Sequence, residues 1–335
     1  MQVNLPYLSV ITVTLNADAI LEETLQSLKE QTYPKDKIEH LIVDGGSSDN
    51  TEELAQKYGC EFFNGGYRDN QEARRGVGIR KAKNEIIVFI DADNILQHED
   101  WLMQMVQPFL ENEEIFAVQP MYYHYKEDDS LYNRYCALFG VNDPVALYLN
   151  KADRLKNYEK KWYQTDVVED KENYLVIKLS GEKFPTVGCN GFLIKREVLL
   201  KARHEGEDFF HIDVIYDLLE KGHDRIAIVK DSIWHKTGGS FKGLLKKRLS
   251  YFNMHSQKLG ERRRYKLFDP KNKKDVFNLL KFCLYSVTFV KPLYDSIKGF
   301  VHKRDFAWFI HPYACFLFFL AYTTVTLKSA VSIRN

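Results

Sequence analysis

No GxGxxG follows the first apolar run of this chain, and GxxxxGK followed by Ser or Thr occurs nowhere in it. Those absences argue against a dinucleotide oxidoreductase and against a P-loop enzyme. Gly76 and Gly78 form a lone GxG, but they stand inside a basic stretch expected to be helical. Cysteine is sparse: Cys60, Cys136, Cys189, Cys283 and Cys315 make an odd number, with no CxxC and no metal-ligand spacing. Free thiols in a reducing compartment are the expectation. An excess of charge is lacking as well; the net charge of +1 gives no bulk field that would draw nucleic acid. MQVNLPYLSV has no basic n-region running into an apolar stretch, so no signal peptide is expected. Internal repeats and low-complexity tracts are also missing. What is present is 335 residues, 45% of them hydrophobic, enough for one large domain or two smaller ones around a sizeable core.

The most informative stretch is EIIVFIDADN, Glu85 to Asn94. A short unbroken run from Ile86 to Ile90 reads as a strand buried on both faces, as in a parallel sheet. Ligands bind at the carboxyl ends of such strands, and there the chain places Asp91 and Asp93. In an extended chain the two share a side. Paired carboxylates at a strand end suit a divalent cation, which in turn would hold a diphosphate. An acidic turn that caps the next helix is the plainer reading. Upstream, Leu8 to Val13 and Leu41 to Val43 read as further buried strands, and Cys60 to Phe63 as a short one. Between them fall a helix from about Asp18 to Gln31, with Asp18 as its cap and Leu21, Leu25 and Leu28 on one face, and a helix from Thr51, where Asp49 and Glu52 resemble a capping box. A basic helix from about Asp69 to Lys83 precedes the central strand. Strand and helix alternate, which predicts an α/β fold with parallel strands.

SVITVTLNADAILEETLQSLKEQTYP, LIVDGGSSDNT and FIDADN, in that order, resemble a family 2 glycosyltransferase of the GT-A fold, most strongly over the first 120 residues or so. The resemblance implies a mixed sheet flanked by helices. It implies that Thr14, Asn16 and Asp44 hold the nucleoside of a sugar nucleotide, and that Asp91 and Asp93 form a DxD-type motif for Mg2+ or Mn2+. Arg75 would also lie on the donor side. The family often has an Arg-Asn-x-Gly-Ile helix; Arg75-Gly76-Val77-Gly78-Ile79 has Gly in place of Asn. Gly188, Cys189 and Asn190, within FPTVGCNGFLIK, correspond to the acceptor side. Cys189 invites a nucleophile reading, but the sequence puts no general base beside it, and an inert small residue is favoured. A helix opening at Phe209-Phe210-His211-Ile212-Asp213 stands where family members carry a catalytic base. Asp213 matches that position, and His211 is the other candidate. His235, before Lys236-Thr237-Gly238-Gly239-Ser240, resembles a closing loop whose His reaches the metal or diphosphate.

The composition then shifts. Nine basic residues between Lys242 and Lys266 face a single acid, Glu261, as a solvated helix or as an amphipathic segment for an anionic surface. Phe306 to Leu327 has 22 residues without Lys, Arg, Asp or Glu, enough to span or embed deeply in a membrane. Val276 to Val290 is shorter, contains Lys281, and suits an interfacial helix; alternatively both stretches pack on the soluble domain as a lid. The chain therefore divides into 1–240, a catalytic domain; 241–270, basic and amphipathic; and 271–335, membrane-associated helices. The expected activity is metal-dependent, inverting transfer of a hexosyl or N-acetylhexosaminyl group from a nucleoside-diphosphate sugar, UDP-linked before GDP-linked. The acceptor would be a glycan or lipid-linked hydroxyl, at the cytoplasmic face of the cell membrane. Transfer to a polyisoprenyl phosphate and a catalytically silent sugar-nucleotide scaffold stand as alternatives.

Overall fold

The computed structural model describes residues 4–204, 206, 209–236, 241–254 and 260–332. In chain order its first half runs β1 Leu8–Thr14, α1 Asp18–Lys29, β2 Ile38–Asp44, α2 Thr51–Lys57, β3 Glu61–Asn64, α3 Gln71–Lys81, β4 Ile86–Phe89, β5 Asn94–Leu96, α4 Trp101–Glu111, β6 Ala117–Tyr123, α5 Leu131–Phe139 and α6 Pro144–Tyr148. There follow β7 Asp166–Asp170, β8 Tyr174–Lys178, β9 Phe192–Lys195, α7 Arg196–Leu199, α8 His211–Glu220, β10 Arg225–His235, α9 Phe241–Phe252, α10 Lys273–Thr288, α11 Val290–His302 and α12 Ile310–Ser332. The chain forms two compact units, Met1–His124 with Thr165–Lys236, and Tyr125–Gln164 with Thr237–Asn335. Residues 125–164, read from the sequence as part of a continuous catalytic stretch, thus group with the C-terminal helices. The physical reason is that α5 and α6 supply much of those helices' core: Phe139 meets Trp308 edge-on and stacks on His311.

The first unit is built on one sheet in the order β3-β2-β1-β4-β9-β6-β10-β8-β7, with β5 pairing β10. β1, β2, β3 and β4 run parallel, as the alternation of strand and helix predicts. β9 breaks that pattern. It lies antiparallel between β4 and β6, so the sheet is mixed. β4 and β9 each have a strand on both sides, and Ile86 to Phe89 and Phe192 to Ile194 are apolar and buried throughout, as central strands of a sheet covered on both faces should be.

Local chemistry departs from expectation at two helix starts. Asp18 is the first residue of α1, not its cap, and its N–H donates to Asp49 Oδ2 at 3.1 Å. Asp49 Oδ1 accepts from the Thr51 N–H and hydroxyl, and no side chain caps α2, so the capping box does not form. Asn70 caps α3 by accepting from the Ala73 N–H at 3.1 Å.

The basic helix α3 is not a solvated face: Arg74 and Arg75 are buried in it. Its lone GxG serves packing. A Cβ on Gly78 would stand 2.6 Å from Ile11 Cγ2, and one on Gly76 would stand 2.9 Å from the His204 carbonyl oxygen. Glycine lets the helix backbone approach the sheet closely at Gly78 and the segment before α8 at Gly76.

In the second unit, Trp308, His311, Ala314, Cys315 and Phe318 line the buried side of the last helical stretch. His311, which interrupts the apolar run in the sequence, is fully buried between two hydroxyls: Tyr135 at 3.1 Å from Nδ1 and Tyr148 at 3.0 Å from Nε2. Among the described residues one helical stretch, Phe306–Leu327, is long and apolar enough to cross a membrane. α10 and α11 meet at an 80° bend.

Gly78→Ala should test the close approach. Helix propensity favours Ala by about 1 kcal/mol, but a methyl group forced against a packed core strand costs roughly 1–3 kcal/mol. Net destabilisation, read as a lower urea midpoint, is expected; a raised midpoint would show that α3 does not need glycine there.

Candidate active site

The chemistry-bearing residues of the first unit collect where β1, β2, β4 and β10 end. At β1 and β2 the loops are stapled together. Thr14 Oγ1 donates to Asp44 Oδ1 at 2.8 Å, and Asp44 also accepts from the Gly46 N–H, the Ser47 N–H and the Ser47 hydroxyl at 2.7, 2.6 and 2.5 Å. Burial works to raise the Asp44 carboxyl, but those hydrogen bonds outweigh it and hold the group below its ordinary 3.8. The sequence reading gives Asp44 to a nucleobase; its oxygens accept from Thr14 and from its own turn, which fixes the carboxylate at the end of β2. Asn16 adopts a left-handed φ of 49°. Its N–H donates to Ser47 Oγ at 2.7 Å, and its Oδ1 accepts from the Ser48 N–H at 2.9 Å. Asn16 is exposed and lies at the rim of this turn. A Cβ on Gly45 would stand 2.7 Å from Arg74 Nη1, so that guanidinium lies beneath the turn.

At the end of β4 the two aspartates part company. Asp91 takes both oxygens to Arg75 Nη2, at 2.7 Å each. Asp93 Oδ2 stands 3.3 Å from His235 Nε2. The antiparallel pairing of β5 with β10 makes this contact by setting Asn94 opposite His235. Asn94, fully buried, accepts from the Asp91 N–H at 3.1 Å and donates to Asp93 Oδ1 and Asn190 Oδ1 at 3.2 Å each. Asn190 continues to the Tyr123 hydroxyl at 3.3 Å. The strand-end turn and the Gly188–Gly191 loop are therefore one hydrogen-bonded assembly. Asn190 has a φ of 54°, Gly188 of 123° and Gly191 of 78°, a run of left-handed backbone that glycine makes possible at two of its positions.

Among the described residues no group of three or more His, Cys, Asp or Glu is poised to hold a metal. Asp93 and His235 are two suitable donors, an oxygen and an imidazole nitrogen. Mg2+ and Mn2+ commonly use one or two carboxylates and complete their shell with water and substrate phosphate. The pair fits such a cation; Asp91, engaged by Arg75, is placed to orient the turn.

α8 brings in the remaining candidates. The His211 N–H and Nδ1 lie 3.2 and 3.0 Å from Glu72 Oε2. Glu72 Oε1 pairs with Arg75. A buried chain thus runs His211–Glu72–Arg75–Asp91. Burial disfavours a charged imidazole, but the Glu72 carboxylate, with Cys189 nearby, pushes His211 up from 6.5 to about 10. Arg75 is likewise held charged: burial opposes its charge, and Asp91 and Glu72 overcome it. Glu72 thus favours the protonated form of His211, which weighs toward Asp213 as the general base. A Cβ on Gly188 would stand 3.2 Å from His211 Cδ2, so the acceptor-side loop rests on this ring. The structure places His211 beside Cys189. Asp213 lies in the first turn of α8 and is almost wholly buried. Thr237 to Ser240, read as a closing loop, lie outside the described residues.

Sequence reasoning missed Glu72, Tyr123 and the role of Asn94. Only Glu72 left a signal, its spacing of three from Arg75 on a helix.

A model of the family described as "Glycosyl transferase family 2" matches residues 9–199, more than half of the chain. Glycosyltransferase AglE of Haloferax volcanii is 36% identical over 103 residues, covering 29% of this chain and 34% of that protein. The GalNAc(5)-diNAcBac-PP-undecaprenol beta-1,3-glucosyltransferase of Campylobacter jejuni is 24% identical over 212 residues, covering 62% and 57%. This chain thus spans less than two thirds of the curated relatives it matches. The mannosyltransferase PcManGT of Pyrobaculum calidifontis, solved with GDP-Man and Mn2+, superposes with a TM-score of 0.52 at 16% identity, over 98% of this chain and 80% of that one. The last likeness is one of fold, and the mixed sheet flanked by helices is the GT-A arrangement that the sequence predicts.

Glu72→Gln should expose the charge on His211. A pKa raised by folding stabilises the protein fully below the unfolded value of 6.5, and the contribution fades as pH rises through about 10. Breaking a buried pair costs roughly 3–5 kcal/mol. The variant's loss of thermal stability should be largest near pH 6 and narrow on the alkaline side. A loss that does not vary with pH would show that His211 is neutral.

Proposed function

The chain belongs to glycosyl transferase family 2, and from that premise we propose that it transfers a sugar from a nucleoside-diphosphate donor with the help of Mg2+ or Mn2+. The observation that carries this reading is the pairing of Asp93 with His235 beside the Arg75-locked Asp91. A bound cation supplies charge to the diphosphate as it leaves. Asp93 and His235 hold that cation. Arg75 fixes Asp91 and so the path of the turn between β4 and β5. Thr14, Asn16 and Asp44 shape the loop against which the nucleoside lies. The GDP-Man and Mn2+ in the Pyrobaculum mannosyltransferase are consistent with this assignment. UDP-sugars are the first donors to test and GDP-sugars the second.

On the acceptor side Gly188, Cys189 and Asn190 form the wall. For a hydroxyl acceptor, Asp213 takes the proton in a single inverting displacement. A second reading has an observation in its favour. Asp213 is almost wholly buried, and a phosphate acceptor, already ionised, requires no base. The GalNAc(5)-diNAcBac-PP-undecaprenol substrate and beta-1,3 linkage in the name of the Campylobacter relative support the first reading, a hydroxyl on a lipid-linked glycan. Membrane attachment at the cytoplasmic face belongs to the second unit, supported by the apolar stretch Phe306–Leu327.

Two measurements decide. Calorimetric titration of UDP- and GDP-sugars with and without Mn2+ should show metal-dependent binding that Asp93→Ala abolishes; unchanged metal dependence in the variant sinks the metal assignment. Asp213→Asn should keep donor affinity and lose transfer by roughly 10²-fold or more if the acceptor is a hydroxyl. Full transfer by that variant points to the phosphate acceptor.

A further inference from the structure

Between Lys271 and Asp305 the chain carries eight basic side chains and three acidic ones. All three acids are buried and engaged within the helical unit. Lys151 holds Asp275 at 2.7 Å. Lys291 and the Tyr148 hydroxyl hold Asp295. Arg134 and the Tyr125 hydroxyl hold Asp305, at 3.1 and 2.6 Å. Lys271, Lys273, Lys274, Lys298 and Arg304, by contrast, are exposed. The accessible charge of this stretch is therefore of one sign.

The rest of its surface is apolar. On α10, Phe277, Leu280, Leu284 and Val287 recur at helical spacing and stand in solvent, Leu280 with 63% of its surface exposed. On α11 the exposed series is Val290, Leu293, Ile297 and Val301, with Val290 at 71%. The opposite faces are packed, Phe282 and Ser286 on α10 and Pro292, Ser296 and Gly299 on α11. Soluble surfaces rarely leave so continuous an apolar stripe uncovered. Neither helix can cross a bilayer. With 16 and 13 residues they are about 24 and 20 Å long, short of a hydrocarbon core of about 30 Å. The 80° bend between them also prevents the pair from forming one straight span.

We propose that α10 and α11 lie in the interface of a single leaflet of an anionic bilayer, their outward apolar faces among the acyl chains and their exposed lysines at the headgroups. This deepens the membrane attachment proposed above and rests on it. A basic amphipathic helix gains both from buried apolar area and from attraction to anionic lipid. A protein partner would have to bring acidic groups around an apolar groove; the lipid surface supplies both properties at once.

Flotation of the full-length protein with vesicles tests this. The vesicles are phosphatidylcholine alone, or an equal mixture with phosphatidylglycerol. Binding should be stronger to the mixture by roughly tenfold or more, from several lysines each contributing at the surface. Leu284→Glu combined with Val290→Glu should abolish flotation, with sugar-nucleotide binding as the control for folding. Lys273→Gln combined with Lys274→Gln, both exposed positions, should remove part of the anionic preference and leave binding to the neutral vesicle unchanged. Lys298→Cys should react with a membrane-impermeant maleimide added outside, above the labelling of the unsubstituted protein. Protection of that cysteine would mean that the pair crosses the bilayer, and would overturn the interfacial placement while leaving membrane attachment standing. Equal binding to both vesicles, or undiminished flotation of the double-Glu variant, also overturns it. If the wild type does not float and instead self-associates in solution, membrane attachment itself fails and the face is a contact between copies.

Discussion

Arg75 lies with its guanidinium almost wholly out of water, and a cation in that position costs several kcal/mol unless it is paired. Its partners are Glu72, one turn earlier on the same helix, and Asp91 at the end of β4. α3 cannot slide along the sheet without breaking one of those contacts. Gly78 allows the helix to sit close enough to the sheet for the guanidinium to reach the strand end. Glu72 then has one oxygen left for the start of α8, where it receives both the backbone N–H and the ring of His211. Glu72 and Arg75 thereby hold together a helix, a strand end and a second helix that are far apart in the chain.

How far this was legible follows from the range of each interaction. β4 was legible because an unbroken apolar run carries its own signal, and Asp91 and Asp93 because they end it. Their separate partners were not. Alternation along a strand predicts that the two carboxylates face the same way, but Arg75 and His235 come from elements 16 and 142 residues away from them, and no local pattern announces either pairing. Strand order was not legible for the same reason. The alternation of strand and helix correctly predicts a parallel run from β3 to β4. β9 enters antiparallel between β4 and β6 after a long excursion of the chain, and the only trace of that in the sequence is that FLIK is apolar enough to be central.

The basic helix α3 shows how composition alone would mislead. Arg74, Arg75, Arg80 and Lys81 on α3 invite the reading of a solvated face, since arginine is seldom buried. Burial is possible because the compensating charges, Glu72 and Asp91, lie within hydrogen-bond reach of Arg75. Asp44 likewise has partners that the sequence does not announce. A strand-end carboxylate looks available to a ligand until its turn is formed, and the turn then supplies the donors that a ligand would have offered.

The charges add up in a way that bears on the chemistry. In the chain His211–Glu72–Arg75–Asp91, two cations face two carboxylates, so the assembly is formally neutral and offers a leaving diphosphate no net positive charge. What meets a diphosphate has to come from outside that set. Asp93 and His235 stand next to it, joined through Asn94 to the acceptor-side loop. A divalent cation held there by one carboxylate and one neutral imidazole keeps a formal charge of about +1 on the protein side, and it would lie at the strand end that Arg75 fixes in place. In the proposed reading, the buried pairs therefore set the geometry of the site, and the cation supplies the charge that geometry alone does not provide.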